Sequence, residues 1–309
     1  MNQFDQGSVV KKANVYFGGR CVNHVRAGGR VRHGLVALLA LGLAACSTTQ
    51  LVYNKLDWFA AWQIGKYVEL QGPSEALFEN GFASLWRWHR ATQLSLYAKD
   101  LRELADAAGS RLSPEQIQDF VRRANDHVEH LLDEGLPGAV NVFQALDDAQ
   151  IAGLLKRMAE RRAERAEEDS ELDASERQNR TNKDMQKGLK RWLGAISTAQ
   201  KERVQNWVAG RPSDLELWRR YNEQWAAAFA ELLVARSQTD FGTRLRGLLL
   251  DPNLPATEAV NELRLRYNQS AAELMSELSG TLSPKQRAHF QSELRALAQD
   301  LETLAMERG

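Results

Sequence analysis

One helix-opening motif recurs along this chain, and it limits the possible folds more than any other feature. Leu112-Ser113-Pro114-Glu115-Gln116-Ile117 returns as Leu146-Asp147-Asp148-Ala149-Gln150-Ile151, as Ile196-Ser197-Thr198-Ala199-Gln200 and as Leu282-Ser283-Pro284-Lys285-Gln286. In each copy Ser or Asp is placed to cap the first free amides of a helix, and Gln three residues on can reach back to the amide of the cap. Pro fits the first helical position, where the missing N–H would have had no partner anyway. The preceding Leu or Ile can staple onto the first turn, as Leu112 can with Ile117. Leu70-Gln71-Gly72-Pro73-Ser74 reads as a degraded fifth copy. The intervals of 34, 50 and 86 residues are unequal, so this is a reused helix start and not a solenoid period.

Between these starts the apolar residues step by three and four. Ile117, Phe120, Val121, Ala124, Val128, Leu131 and Leu132 make one face of a helix over 114–134. Gly135 and Pro137 are expected to stop it, with a short helix near 139–145 beyond. Phe78, Phe82, Leu85 and His89 form a second stripe, which slips by five to Leu94 before resuming at Tyr97, Leu101 and Leu104. A bend near Thr92–Ser95 would restore that face. Ser213 with Glu216 predicts a boxed helix start ahead of Trp218, Tyr221, Trp225 and Phe229. At the C-terminus, Val260, Leu263, Tyr267, Leu274 and Leu278 oppose Phe290, Leu294, Leu297, Leu301 and Leu304, which predicts an antiparallel helical hairpin turned at Ser279-Gly280. No window alternates with period two over strand length. The expected fold is all-α, a multi-helix bundle.

The stretch 158–185 differs from the rest. Its only large apolar residue between Met158 and Met185 is Leu172, yet its helix propensity is high. It reads as a solvated, charged helical arm, broken near Ser170–Ser175 and supported by Asp173–Arg177 and Glu176–Arg180 pairs.

Ahead of the helical part, Arg26, Arg30 and Arg32 precede the apolar run Gly34–Cys46, and small residues end it. That is the pattern of a secretory signal peptide over 26–45. Its apolar core of about a dozen residues falls well short of the ~20 a spanning helix needs. Leu43-Ala44-Ala45-Cys46 resembles a bacterial lipobox, which implies that the Cys46 thiol is acylated and the preceding peptide removed. Residues 1–25 fit no signal pattern and are expected to be a spurious or disordered extension, with translation starting at Val22, Val25 or Val31. Cleavage would leave 264 residues, 46–309, as a single helical periplasmic domain. Losing six Lys/Arg and one acid turns a neutral chain into one with 34 basic and 39 acidic side chains, a net of −5. That mixed, slightly acidic balance does not suggest a nucleic-acid binder, and none is expected. Cys21 and Cys46 are the only cysteines, so the domain has no disulfide to draw on. Ser47 stands where an Asp would often retain a lipoprotein in the inner membrane, so by analogy the outer membrane, facing the periplasm, is the expected location.

After a short tether, Ser47-Thr48-Thr49, the sequence LVYNKLDWFAAWQIGKYVEL reads as a helix that packs back on the body near the membrane. Tyr53-Asn54-x-x-Asp57-Trp58, followed by Trp88-His89-Arg90, resembles an uncharacterised family of Gram-negative, all-helical envelope lipoproteins. The resemblance covers the chain from about Gln50 and is sharpest over 51–97. It implies an all-α envelope lipoprotein and supplies no catalytic residues. The openings resemble the Leu-Thr-x-x-Gln signature of small periplasmic chaperones and stress sensors that form curved helical dimers; the motif reads either as helix capping alone or as kinship that implies chaperone-like behaviour.

His127, His130 and Glu134 fall within about a 60° arc of one helix and are the best metal candidates. Arg123 shares that arc and would repel a cation, so no metal is expected. His89 reads as a hydrogen-bonded core histidine. No Gly-rich phosphate loop, G-x-S-x-G, H-E-x-x-H or free cysteine nucleophile is present, so neither catalysis nor a cofactor is expected. Two functional expectations follow. One is an accessory, chaperone-like lipoprotein that binds polypeptides through a helical cradle. The alternative is a tether linking the outer membrane to an envelope complex or the cell wall through the charged arm.

Overall fold

The computed structural model describes residues 46–211 and 214–307, so the signal peptide, Leu43, Ala44, Ala45 and Ser213 lie outside the described residues. Twelve α-helices and one π-turn, with no strand among the described residues, make an all-α bundle. In chain order these are α1 (Cys46–Tyr53), α2 (Leu56–Gly65), α3 (Pro73–Trp88), a π-turn (His89–Gln93), α4 (Leu94–Ala107) and α5 (Pro114–Ala145). Then come α6 (Asp148–Ser170), α7 (Ala174–Leu193), α8 (Thr198–Ala209), α9 (Leu215–Val234), α10 (Phe241–Leu250), α11 (Thr257–Gly280) and α12 (Pro284–Met306).

The recurrent motif folds as reciprocal capping boxes. Ser113, Asp147, Ser197 and Ser283 each accept from the amide three residues on, and Gln116, Gln150, Gln200 and Gln286 accept from the cap amides. The degraded copy at 70–74 forms no box. Gly72 takes the N-cap place with a φ of 56°, a conformation that suits glycine, and Ser74 bonds Gln71 instead. The fifth box sits at Asp173 with Glu176, where it opens α7. Helix α9 begins after Asp214, which makes no side-chain cap bond. Two of the boxes also join each other. Gln200 and Gln286 are buried and exchange amide bonds of 3.2 and 2.9 Å, while Gln286 also donates to the Ala195 carbonyl at 2.8 Å. The starts of α8 and α12 are thereby locked together by satisfied buried carboxamides.

The densest packing lies between α4 and α12. Leu94, Ala98, Leu297, Ala298, Leu301 and Leu304 are buried there, and the two alanines let the backbones approach. Arg287 donates to the carbonyls of Ala108 and Ser110 at 2.7 and 2.6 Å, closing the end of α4 with a cation where free carbonyls accumulate. A second core joins α5, α6, α9 and α10 around Phe229, Leu233, Phe241 and Leu245.

Four sequence expectations need correction. Helix α5 runs unbroken through Gly135 and Pro137 to Ala145. Pro137 is exposed, so the Asp133 carbonyl it leaves free can meet water, and the packing of both halves offsets the ~3 kcal/mol that an interior proline costs. The five-residue slip is absorbed by the π-turn, where the Leu94 amide bonds the His89 carbonyl, slightly before the predicted bend. At the C-terminus a short turn joins α11 to α12, but the two helices spend their faces elsewhere: α11 packs on α5, α8 and α9, and α12 on α4, α1 and α7. The N-terminal helix is two helices. Residues 47–49 are helical rather than a loose tether, and α1 docks on α12 with Tyr53 and Thr49 buried. Helix α2 buries no residue at all.

Candidate functional site

A groove of about 1550 Å³ opens between α3, α5, α6, α7 and α9. Its floor is built where α3 crosses α5. A Cβ added to Gly81 would lie 3.6 Å from the Gly138 Cα, so these two glycines allow close approach of the backbones at the crossing. Phe78, Phe82 and Leu85 from α3, Val142 and Phe143 from α5, and Trp225 and Phe229 from α9 give the floor an apolar, aromatic surface. Trp225 is held in place by donating to the Leu248 carbonyl at 3.0 Å.

The charged arm forms one wall. Met158, Ala159, Arg162, Ala163, Arg165 and Ala166 of α6 line the groove, as do Ala174, Arg177 and Gln178 of α7. No residue from 155 to 192 is buried, so the arm is solvated as its composition requires. The arm breaks at 171–173, and its expected ion pairs do not form: Arg177 donates to the carbonyls of Leu172 and Asp169, and Glu176 serves the cap. Arg161 lies 5.1 Å over the Tyr67 ring. Arg161, Arg162 and Arg165 have no carboxylate partner among the described residues. Across the groove Arg211 stands over Tyr267, whose hydroxyl donates to Asp214 at 2.9 Å, and Arg219 is held by Glu216 and Glu223. The site is an apolar floor under a guanidinium-rich rim.

The signature residues separate into two groups. Tyr53 and Asn54 meet His89 and Arg90: the Tyr53 hydroxyl is 2.9 Å from His89 Nδ1, and Arg90 donates to Asn54 Oδ1 at 2.5 Å. Arg90 also reaches Glu307 at 3.4 Å, so this latch ties α1 to the π-turn and the end of α12. Burial pushes the His89 imidazole down to about 4 and raises the Tyr53 phenol, so both are neutral in the core. Trp88 is half-buried, whereas Asp57 and Trp58 are exposed on α2, away from the latch.

The metal candidates do not converge. His127 Nε2 is 2.8 Å from Asp100, which also accepts from Arg123, while His130 and Glu134 are exposed. Among the described residues no group of three or more His, Cys, Asp or Glu is placed to hold a metal ion. Cys46 is the first residue of α1.

A family model matches residues 66–261, almost two thirds of the chain. The chain belongs to DUF6279, a family of unknown function. That match contains Trp88, His89, Arg90 and most of the groove, while Tyr53, Asn54, Asp57 and Trp58 lie before it. A 24-residue stretch is 67% identical to a pyrimidine/purine nucleoside phosphorylase of Methylococcus capsulatus, covering 8% of this chain and 23% of that protein. The chain thus spans less than a quarter of that relative, too little to carry an argument about activity. No solved structure matches the chain.

The groove is what sequence reading missed. The aromatic residues of its floor lie on three separate helices and read locally as core, and nothing in a single helix reveals that the three faces leave a space between them.

Proposed function

We propose that this protein is a lipid-anchored envelope lipoprotein that binds polypeptide segments in the groove, as a chaperone-like or accessory module without catalytic chemistry. The observation that carries the reading is the groove itself. Its volume of about 1550 Å³ exceeds the ~300–1,000 Å³ of small-molecule pockets, so it suits an extended chain segment. Its aromatic floor accepts apolar side chains, and its rim arginines can hold acidic side chains or main-chain carbonyls. The arm favours this reading over a tether, because α6 and α7 contribute a wall to the groove.

Anchoring rests on the lipobox-like Leu43-Ala44-Ala45-Cys46. Among the described residues no helix is long and apolar enough to cross a membrane. Cys46→Ser is expected to abolish lipid labelling and leave an unprocessed precursor, and the mature protein is expected to sediment with outer-membrane markers. For binding, the purified chain is expected to suppress aggregation of a denatured model protein. Leu77→Asp, at an exposed position on the floor, should remove that suppression with the fold intact. Equal suppression by the variant would refute the groove as the binding surface.

A further inference from the structure

Helix α2 is apolar where a surface helix should be polar. At 100° per residue, Leu56, Ala60 and Ile64 fall on one side, and Leu56 and Ile64 pack against the two cores of the body. The opposite side carries Trp58, Ala61, Trp62 and Gly65. Trp58 is 55% exposed and Trp62 39%, and their rings stack at 6.1 Å. An outward helical face is normally the polar one, and a helix apolar all round belongs in a core or in lipid. This helix is not in a core, since none of its residues is buried.

We propose that α2 is an interfacial membrane anchor, lying in the headgroup layer of the bilayer with Trp58 and Trp62 turned into the lipid. The proposal rests on the lipid-anchored reading for the bilayer that α2 meets. Three observations favour lipid as the occupant. Helix α1 has only eight residues, roughly 12 Å of helix, so acyl chains on Cys46 would keep α2 within reach of the membrane. Lys55 and Lys66 bracket α2 as cations that suit anionic headgroups, with Lys66 Nζ 3.2 Å from the Trp62 ring centre. Asp57, the only acid in the helix, lies at the edge of the outward face. Tryptophan is the residue best suited to this layer, its ring apolar and its N–H able to bond headgroups or water.

A lipid chain attached at one residue leaves the domain free to swing, whereas a second contact fixes which side faces the bilayer. Gln63 and Ile64, on the last turn of α2, also line the groove. An embedded α2 therefore places one end of the groove beside the membrane.

The test uses the full chain reconstituted into vesicles of phosphatidylethanolamine and phosphatidylglycerol, with and without bromine on the acyl chains. Brominated lipid is expected to quench about a quarter of the tryptophan emission, the share of two among eight tryptophans. That quenched share should vanish in Trp58→Ser/Trp62→Ser, with helicity and melting unchanged because both side chains are exposed. Quenching that is absent, or identical in the two proteins, would overturn the proposal. So would a variant that turns a dimer into a monomer, since α2 would then be an interface between copies of the chain. Lipid labelling of Cys46, measured on the same samples, separates this outcome from failure of the anchor: a protein without label that is still quenched at α2 keeps the present inference and loses the other.

Discussion

The seam between α4 and α12 and the arm of α6 and α7 are both helical, but they are ordered by different terms. In the seam Leu94, Ala98, Ala298 and Leu304 are fully buried, so removal of apolar area from water holds the helices together. In the arm no residue from 155 to 192 is buried, and over 159–184 order comes from helix propensity, the Asp173 box and the carbonyl bonds of Arg177. The seam can therefore set global stability, whereas the arm is free to carry a surface. The sharpest way to break this contrast is to remove volume from each. Leu94→Ala should cost about 2–5 kcal/mol, and Leu172→Ala, half-buried at the arm's break, under about 1 kcal/mol. Comparable losses in urea denaturation would show that the arm is packed as tightly as the seam.

Acid is expected to act through the seam's edge. His89 is neutral and bonded to Tyr53, and burial holds its pKa at about 4, below its ordinary value. As pH falls from about 6.5, the unfolded chain takes up a proton that the folded chain refuses, so stability declines until about pH 4. The slope contributed by this one group approaches about 1.4 kcal/mol per pH unit. His89→Gln should remove that component, so the stability gap between wild type and variant should narrow on acidification. A gap independent of pH would mean that His89 is not held neutral by the core.

The paired caps come next. Ser283→Ala should cost about 1 kcal/mol as the loss of one cap. Gln286→Ala should cost more, about 1–3 kcal/mol, because it also removes the two buried bonds that Gln286 exchanges with Gln200. A double-mutant cycle on Gln200→Ala and Gln286→Ala should show coupling of about 0.5–3 kcal/mol. Strict additivity would mean that the two boxes act only as separate caps.

What could be read in advance follows the range of the physics. Capping is local, so all four boxes at Ser113, Asp147, Ser197 and Ser283 were legible from three-residue spacings. The five-residue slip before Leu94 was legible too, because a π-turn is the local means of inserting one residue into a helical face. Pro137 misled because its penalty is local while the packing that offsets it lies on α3. The C-terminal hairpin misled because heptad spacing gives a face without naming its partner, and α12 found α4 instead. The groove was illegible for the same reason, since its residues come from eight helices and the joint after α2. Trp58 and Trp62 were assigned to a helix packed on the body, yet they share a helix with Leu56 and Ile64 while facing the opposite way.

The smallest expected effect on stability is also the most informative about function. Replacing residues 159–184 with a Gly/Ser linker of equal length deletes no buried side chain, so the melting temperature should barely move. The flanking residues Met158 and Met185 remain to pack against their separate cores. Yet the same deletion removes a wall of the groove, including Arg162, Arg165 and Arg177. Suppression of aggregation should therefore fall sharply while the domain stays folded. The triple substitution Arg161→Gln, Arg162→Gln and Arg165→Gln keeps the helix but removes the three guanidinium groups that α6 gives the rim, so it should weaken binding of acidic segments and retain that of neutral ones. If the linker variant melts much lower, the arm contributes to the core and the contrast with the seam fails. If it melts normally and still suppresses aggregation, the groove needs only its floor, and the arm is left as the part available to a separate partner.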